Sequence, residues 1–407
     1  MNSLFRTAML AIAFAVSATG AAAQRAAPIV ERDDAAAYAE RFAMSVDVAR
    51  IRLRAQEVLA PTIAALRLTY RERLAGIAIE HAPALRIAVL LTGDEAVADR
   101  LVVAAGVAVP IVFATGAAAS LEQLRTALAN GQAAIRDALR QPPGIGIDQR
   151  TGELVVVVGS DEPDAPGGTT LVERLRAIAG VPVRLRTADL PATNLAAEGG
   201  ARLIGTVLPG GRRYVCTAGF VVTDGTHTGI ATAAHCPDAI GYVDADRREW
   251  PLAFAGQWGW GYQDVQINVS DTPLAPVFFD DTARTTSRTL HGQRRLDETV
   301  AGDFVCHRGE RTGYSCALIE LTDFAPAGAL CGGFCTPTWV TVAGPHCGGG
   351  DSGAPVFANG VAYGIVKGGS YRVDGACGFY FYMSTDYLPA GWHLLTSPDG
   401  APVVAPA

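Results

Sequence analysis

The spacing of apolar residues along the chain predicts two regions of different character. From residue 25 to about residue 200, apolar side chains recur at the spacing of amphipathic helices, as in the set Tyr38, Phe42, Val48, Ile51 and Leu53. We expect Ser45 to cap the second helix and Pro61 to open or interrupt the next one. This first region is therefore predicted to begin with several short helices.

A weak internal repeat follows these helices. Residues 85–113 and residues 154–185 each suggest a strand, a helical stretch, a Gly-Val step and a strand containing proline. The acidic stretch between residues 161 and 168 is rich in glycine and proline and indicates an exposed loop. Small open sheets covered by helices are compatible with this pattern, so the first region is predicted to be α+β.

From Ala201 onward the pattern changes to short β-branched and aromatic runs separated by glycine, proline and Asp-Gly turns. This pattern is typical of an all-β barrel or sandwich. The boundary between residues 190 and 200 is small, polar and flexible in composition, as exposed protease-sensitive segments are. The strand-like runs lie at residues 214–222, 229–233, 265–269, 339–342 and 361–366.

Composition narrows the range of functions. The chain has 407 residues, a net charge of -7 and 18% charged residues, which is enough length for two or three domains. Arginine supplies nearly all the positive charge, and Lys367 is the single lysine. No basic run is present that would neutralise phosphates, so nucleic acid is not expected as a partner.

The N-terminus predicts a secretory signal peptide over residues 1–23. Arg6 supplies the positive segment, residues 4–18 the apolar stretch, and Ala21-Ala22-Ala23 the small cleavage site. The alternative is an uncleaved membrane anchor, but the apolar run is shorter than the roughly 20 residues of a membrane span. We expect a secreted protein, extracellular or periplasmic, with no membrane contact after signal removal.

All eight cysteines lie between Cys216 and Cys377, and the first two hundred residues contain none. An even number of cysteines in an exported chain predicts disulfides. The second region is therefore expected to be cross-linked, and the first is not.

Two short motifs carry candidate chemistry. Thr232-Ala233-Ala234-His235-Cys236 places a histidine beside a cysteine, and Gly350-Asp351-Ser352-Gly353 places a serine in a glycine turn. A serine hydroxyl needs a nearby base to become a nucleophile, and histidine has the proton affinity suited to that role. The two motifs predict one acyl-transfer site, which requires no cofactor and no metal.

These motifs, with the Cys306–Cys316 hairpin sequence between them, resemble the chymotrypsin-like serine proteases of the bacterial streptogrisin and α-lytic protease branch. The resemblance covers about 180 residues and implies two six-stranded antiparallel β-barrels with the active site between them. It implies a catalytic triad of Ser352, His235 and an aspartate, for which Asp264 before the alternating strand 265–269 is the best candidate.

Other aspartates between the two motifs fit the triad less well. Asp244 and Asp246 flank a turn with two arginines and are expected to be solvated. Asp271, Asp280 and Asp281 are expected in loops.

The resemblance also assigns an oxyanion hole to the backbone N–H groups of Gly350 and Ser352. In this branch the aspartate that matches Asp351 is buried against an arginine directly after the first hairpin cysteine. Here His307 stands at that place and Arg308 one residue later, so Asp351 needs a different partner or a shifted register.

Lys367, Gly368 and Gly369 resemble the strand that binds extended substrate backbone and walls the specificity pocket. Relatives usually have serine where Lys367 stands. An ammonium near Asp264 would compete with His235 for the carboxylate, so we expect the head group of Lys367 to point elsewhere. A solvent-directed lysine and a role in specificity are equally compatible with the sequence.

Relatives imply the disulfides Cys216–Cys236, Cys306–Cys316 and Cys347–Cys377, which leaves Cys331 and Cys335 to close a small loop. The alternative is metal binding by Cys331, Cys335, His346 and Cys347. An exported chain with paired cysteines favours disulfides, so no metal site is expected.

The first region resembles, more softly, the pro-region of these proteases. We therefore expect a pro-region over residues 24–198 that assists folding and inhibits the protease in cis, and a protease domain over residues 199–407. Self-cleavage is expected between about Asn194 and Ala201. The predicted function is a secreted, monomeric serine endopeptidase acting on proteins or peptides; the alternative is a catalytically inactive binding protein with a protease fold.

Overall fold

The computed structural model describes residues 34–159, 162, 170–188, 193–194, 202–207, 211–244, 247–344 and 346–397. The predicted signal peptide lies outside the described residues. In the described residues the protein is mostly β, and its five α-helices all belong to the first region. They are α1 (Asp34–Phe42), α2 (Val46–Val58), α3 (Ala60–Thr69), α4 (Leu121–Asp137) and α5 (Leu171–Ala179).

Local sequence signals set the starts of these helices. The Ser45 side chain accepts a hydrogen bond from the Val48 amide at the start of α2, as predicted. Pro61 lies in the first turn of α3, where its missing N–H costs nothing. Ser120 and Thr170 form capping boxes at the starts of α4 and α5. The helical part of the first region is therefore encoded locally.

The first sheet contains four strands in the order β1-β2-β4-β3, with β2 and β4 parallel and the other pairs antiparallel. The helical stretch predicted between residues 91 and 109 is wrong. A β-hairpin occupies it, with Ala105 and Gly106 at positive φ in the turn. Residues 93–99, which lead into this hairpin, are mostly polar or small and lack the alternation of a strand, so no local signal indicates it. The strands are β1 (Leu74–Glu80), β2 (Arg86–Thr92), β3 (Arg100–Ala104) and β4 (Val107–Ala117).

The second sheet joins the two regions. Its order is β22-β5-β6-β7, and β22 (Thr322–Ala325) comes from the second region. Thr322 pairs with Ile147 and Ala325 with Ile145, in an antiparallel register. The remaining strands are β5 (Gly144–Asp148), β6 (Glu153–Gly159) and β7 (Val183–Ala188), of which β6 and β7 are parallel. A short strand β8 (Thr193–Asn194) ends the described part of this region.

The second region is built from short antiparallel strands, as its sequence pattern predicts. They form a four-stranded sheet β10-β9-β13-β14, a five-stranded sheet β15-β16-β12-β11-β27, the pair β17-β18 and a large sheet β21-β20-β24-β25-β26-β23, to which β19 and β8 add by pairing with β25. These pairings confirm a mostly β region, and its arrangement as two six-stranded barrels stays a prediction. Two 3₁₀ helices, Leu296–Glu298 and Thr385–Tyr387, complete the region. The strands are β9 (Arg202–Val207), β10 (Arg212–Thr217), β11 (Val221–Thr223), β12 (Thr228–Thr232), β13 (Ala239–Val243), β14 (Glu249–Pro251), β15 (Ala253–Trp258), β16 (Val265–Val269), β17 (Val277–Phe279), β18 (Ser287–Thr289), β19 (Gly292–Gln293), β20 (Phe304–Gly309), β21 (Gly313–Leu318), β23 (Val340–Ala343), β24 (Pro355–Ala358), β25 (Val361–Tyr371), β26 (Cys377–Ser384) and β27 (His393–Leu394).

Helices α1 and α2 pack against the second region through buried polar groups as well as apolar ones. The side-chain amide of Gln56 donates to the Phe304 carbonyl oxygen at 3.1 Å and accepts from the Phe304 amide at 2.8 Å. Tyr38 packs edge-on against Phe304, with 5.2 Å between ring centroids. The two regions therefore bury polar groups against each other, and the Phe304 backbone satisfies the buried amide of Gln56.

Among the helices in the described part of the chain, none has the length and apolar character needed to cross a membrane.

Candidate active site

The first motif places His235 directly after strand β12. Thr232, the last residue of β12, donates its hydroxyl to the Thr217 carbonyl oxygen at 2.8 Å. Cys236 is bonded to Cys216, the neighbour of Thr217 in β10. The segment that carries His235 is thus tied to strand β10 on both sides of the histidine, which limits the freedom of the imidazole.

Ser352 lies in a tight turn between Cys347 and strand β24. Gly350 and Gly353 have φ values of 116° and 84°, a backbone conformation that L side chains rarely adopt. A Cβ at Gly353 would also collide with the Thr232 hydroxyl. The Ser352 carbonyl oxygen accepts from the Thr217 amide at 2.8 Å, and the Gly353 amide donates to the Val366 carbonyl oxygen at 2.8 Å. The glycines therefore allow a turn that the neighbouring strands hold in place.

The structure brings Ser352, His235 and Asp264 together in one chain of hydrogen bonds. The Ser352 hydroxyl lies 2.7 Å from His235 Nε2, and His235 Nδ1 lies 2.8 Å from Asp264 Oδ2. The other carboxylate oxygen of Asp264 accepts from the His235 amide at 3.2 Å. With Nδ1–H donating to the carboxylate, Nε2 is left to accept the serine proton. This geometry suits general-base activation of the serine.

The environment of Asp264 keeps its carboxyl group ionised. Burial alone would raise the pKa of this side chain, which is 2% exposed, but the charges and hydrogen bonds of His235 and Lys367 outweigh burial and lower the pKa to about 2. The carboxylate therefore stays negative throughout the pH range in which a histidine base works.

The expectation that the Lys367 head group points away from Asp264 is wrong. Lys367 Nζ lies 3.3 Å from Asp264 Oδ2, the same oxygen that accepts from His235, and the side chain is 1% exposed. The solvent-directed alternative is wrong for the same reason. The site thus contains four side chains with coupled charges and protons instead of three.

The expectation that Asp244 is solvated is also wrong, although the residue stays outside the site. Its side chain is buried and accepts from the Arg248 amide and from Trp250 Nε1, both at 2.8 Å. Asp280 and Asp281 lie in loops, as expected, but both are buried.

Asp351 is held by backbone and hydroxyl donors, and the arginine of the bacterial relatives has no counterpart in this role. Its carboxylate accepts from the amides of Arg311, Thr312 and Gly348 at 3.0, 3.1 and 2.8 Å, and from the Thr312 hydroxyl at 2.7 Å. Arg308 instead donates to the carbonyl oxygens of residues 281 and 282. The β20–β21 turn therefore anchors the residue next to the candidate nucleophile.

The predicted substrate-binding strand forms part of β25 and pairs with the end of the first region. Gly368 pairs with Asn194 and Gly369 with Thr193, in an antiparallel register. Strand β25 runs past the nucleophile turn, since the Val366 amide donates to the Ala354 carbonyl oxygen at 2.9 Å. A segment of the first region thus lies along the strand that leads to Ser352.

The cysteines are joined in the four pairs that the sequence suggested: Cys216–Cys236, Cys306–Cys316, Cys331–Cys335 and Cys347–Cys377. The metal alternative is wrong because three of its four ligands, Cys331, Cys335 and Cys347, have their sulfurs in disulfide bonds. Within the described residues, one other trio of ligand-type side chains, Asp34 with Cys306 and Cys316, lies close together, but its two sulfurs are bonded to each other.

Sequence reasoning missed Thr217 and Thr312. Thr217 holds the nucleophile turn through its amide and also through its hydroxyl, which donates to the Gly350 carbonyl oxygen at 2.7 Å. Neither threonine is a reacting group: Thr217 binds backbone carbonyl oxygens of residues 350 and 352, and Thr312 binds the Asp351 carboxylate, in both cases far away in the chain. No sequence signal could have identified them.

The mostly β second region and its Ser-His-Asp site resemble those of the bacterial chymotrypsin-like serine proteases. Among characterised proteins, the chain is similar to streptogrisin-C of Streptomyces griseus, with 29% identity over 204 residues that cover 47% of this chain and 40% of that protein. The chain thus matches well under two thirds of the length of this relative. The resemblance indicated by the motifs is confirmed over about half of the chain. No family model matches the chain.

Solved structures of bacterial proteases are also similar to the chain. Thermobifida fusca protease A shares 22% identity at a TM-score of 0.39, covering 49% of this chain and 98% of that one. Cellulomonas bogoriensis chymotrypsin shares 22% identity at a TM-score of 0.38, covering 49% of this chain and 99% of that one.

Proposed function

We propose that the protein is a secreted serine endopeptidase that hydrolyses peptide bonds through an acyl-enzyme and folds its protease domain as two six-stranded barrels. One observation carries the proposal: the continuous relay from the Ser352 hydroxyl through His235 to the ionised Asp264. An inactive binding protein would have no need for a relay with hydrogen-bond geometry suited to proton transfer. Eight paired cysteines favour an oxidising compartment outside the cytoplasm.

In the proposed reaction, His235 Nε2 takes the proton of the Ser352 hydroxyl as its oxygen attacks the substrate carbonyl carbon. The negative charge that develops on the carbonyl oxygen is stabilised by the amides of Gly350 and Ser352. The imidazolium then gives its proton to the leaving amine, and Asp264 holds the ring in position throughout. Water attacks the acyl-enzyme by the same route, with His235 again as the base.

We also propose that residues 24–198 form an inhibitory pro-region and residues 199–407 the protease. The support is the pairing of Thr193 and Asn194 with Gly369 and Gly368, because this places the first region where an extended substrate would bind. We expect self-cleavage between about Asn194 and Ala201, next to this paired segment.

The test is Ser352→Ala in the full chain, with Ser270→Ala, at a half-buried position directly after β16, as the matched control. We expect the wild type and the control to be secreted as a shortened protein whose first residue lies between Leu195 and Ala201, and Ser352→Ala to be secreted as the intact precursor. Removing the nucleophile should lower activity by about 10⁶-fold. N-terminal sequencing and mass spectrometry identify the cut.

A serine-directed phosphonate separates the enzyme from the inactive binding protein. The reagent should label the mature wild type at Ser352 and leave Ser352→Ala unlabelled. Maturation of Ser352→Ala without added protease, or a wild type that the phosphonate does not label, would contradict the proposed function.

A further inference from the structure

The single lysine of the chain is buried beside the carboxylate of the triad. Lys367 lies in the interior of β25, with its side chain 1% exposed. Its ammonium lies 3.3 Å from Asp264 Oδ2 and 5.1 Å from the ring centroid of Trp339. A lysine loses strong hydration when it is buried, so the carboxylate and the indole face must replace that hydration. The Asp264 carboxylate therefore supplies the negative charge that compensates the buried ammonium.

One carboxylate oxygen serves two partners. Asp264 Oδ2 accepts from His235 Nδ1 at 2.8 Å and faces Lys367 Nζ at 3.3 Å, while Oδ1 accepts from the His235 amide. The Asp264 amide donates to the Met383 sulfur at 3.3 Å. Of the described groups around the Asp264 carboxylate, His235 and Lys367 can carry positive charge. Met383, and Trp339 beside Lys367, are neutral.

The charge balance depends on the protonation of His235. With a neutral imidazole, the Asp264 carboxylate and the Lys367 ammonium balance each other. When His235 takes a proton, two positive groups share one buried carboxylate, and repulsion between them opposes protonation. Asp238, three residues after His235, is exposed and accepts from Gln257, so it is solvated and contributes little to this balance.

We propose that Lys367 is a positioning residue that holds the Asp264 carboxylate and lowers the proton affinity of His235, so that the enzyme keeps its neutral base at lower pH than a triad without an ammonium would. This inference rests on the proposed protease function. The same ammonium opposes the imidazolium that forms during catalysis. Lys367 therefore lowers kcat/KM on the alkaline plateau of the pH profile and raises it in acid.

The first test is Lys367→Met, which removes the charge and keeps the length of the side chain. The full chain is expressed and allowed to mature, and kcat/KM is measured against pH with a peptide p-nitroanilide that the wild type cleaves. We expect the acid midpoint of the profile to rise by about one pH unit. Lys367→Arg retains the charge and should keep the midpoint near that of the wild type.

Lys367→Arg is also the matched structural control, because it disturbs packing at this position without removing the charge. A midpoint that is the same in Lys367→Met and in the wild type, or that moves equally in Lys367→Arg, would overturn the inference. Phosphonate labelling of the wild type distinguishes the two proposals. If the wild type is labelled and the midpoint stays, the role of Lys367 fails alone; if the wild type is not labelled, the protease function fails.

A second measurement leaves Lys367 unchanged and so does not depend on folding of the variant. Isotope-labelled lysine gives one side-chain NMR signal, because Lys367 is the single lysine. In the Ser352→Ala chain this signal should shift in one step as His235 takes a proton in mild acid. The step should vanish in Ser352→Ala with His235→Gln. Absence of the step in the first chain, or its persistence in the second, would contradict coupling between Lys367 and the base.

Discussion

The two regions of the chain are stabilised by different kinds of interaction. The first region has no cysteine and is held by an apolar core that includes Leu59, Leu124 and Val156, together with local helix caps. The second region is braced by four disulfides, two of which flank the candidate site at Cys236 and Cys347. The first region therefore depends on packing and local polar contacts, and the second depends in addition on covalent cross-links.

The difference can be tested at the contact between the two regions. It contains a buried charged cluster in which the Asp34 carboxylate accepts from Arg288 at 2.7 and 3.1 Å and from the Tyr314 hydroxyl at 2.6 Å. Asp280 contacts the same guanidinium at 3.0 Å. Asp34 comes from the first region and its partners come from the second. Such clusters contribute chiefly because losing one member leaves the rest poorly compensated.

Asp34→Ala should cause the largest loss of stability at the contact between the two regions. Removing this carboxylate leaves the buried donors of Arg288 and Tyr314 short of an acceptor, so we expect a loss of about 3 to 5 kcal/mol in the free energy of unfolding. The measurement is denaturant unfolding of the full chain in the Ser352→Ala background, which removes the proposed nucleophile. If residues 24–198 are cut away as proposed, the released protease should have unaltered kinetics, because it does not contain residue 34.

Asp47→Ala is the control for this prediction. Asp47 lies in α2, its side chain is 89% exposed, and its ion pair with Arg50 is therefore worth little. Equal unfolding free energies for Asp34→Ala and Asp47→Ala would mean that the buried cluster does not hold the regions together.

Features encoded within a few residues were predictable from the sequence, and features formed by distant residues were not. Strand β16 occupies the predicted residues 265–269, because alternation and a preceding turn are local signals. Lys367 could not be placed, since its partner Asp264 is far away in the chain and its burial follows from sheet packing. The anchor of Asp351 was hidden for a similar reason: its donors are mostly backbone amides, which any residue type supplies.

His81 should make the contact between the regions sensitive to acid. Its ring lies between the Tyr38 hydroxyl and the Gly302 carbonyl oxygen, each at 2.6 Å. Burial lowers the pKa of His81 to about 4, despite the opposing hydrogen bond to Gly302. The folded precursor therefore binds fewer protons at this position than the unfolded chain. The contribution of neutral His81 to the free energy of unfolding is therefore full above pH ~6.5. It decreases by up to about 3 kcal/mol as the pH falls toward 4.

The test compares the slope of unfolding free energy against pH in the Ser352→Ala precursor and in the same precursor with His81→Gln. We expect the slope between pH ~6.5 and 4.5 to be shallower in the His81 variant, since glutamine does not titrate there. His227→Gln is the matched control, because His227 is exposed beside Asp224. If the His81 variant and the control have the same slope, His81 is not the source of acid sensitivity.

The smallest predicted loss of stability is that caused by removing the Cys331–Cys335 disulfide. Cys331–Cys335 closes a loop with a sequence separation of 4, whereas Cys216–Cys236 spans 20 residues beside His235. Chain entropy predicts a loss of about 2 kcal/mol for the short loop and about 3 kcal/mol for the long one when both cysteines become serine. The readout is again unfolding of the Ser352→Ala precursor.

Activity should separate the two disulfides more sharply than stability does. The 331–335 loop contacts the first region, because Gln132 donates to the Cys335 carbonyl oxygen at 3.1 Å and the Arg136 guanidinium lies 3.5 Å from the Phe334 ring centroid. Its removal in the active chain should therefore weaken the hold of the first region and leave kcat of the mature protease unchanged. Removal of Cys216–Cys236 should lower kcat, because it frees the segment that carries His235. Equal kcat values for the two double variants would show that the disulfide beside the histidine stabilises the fold without positioning the base.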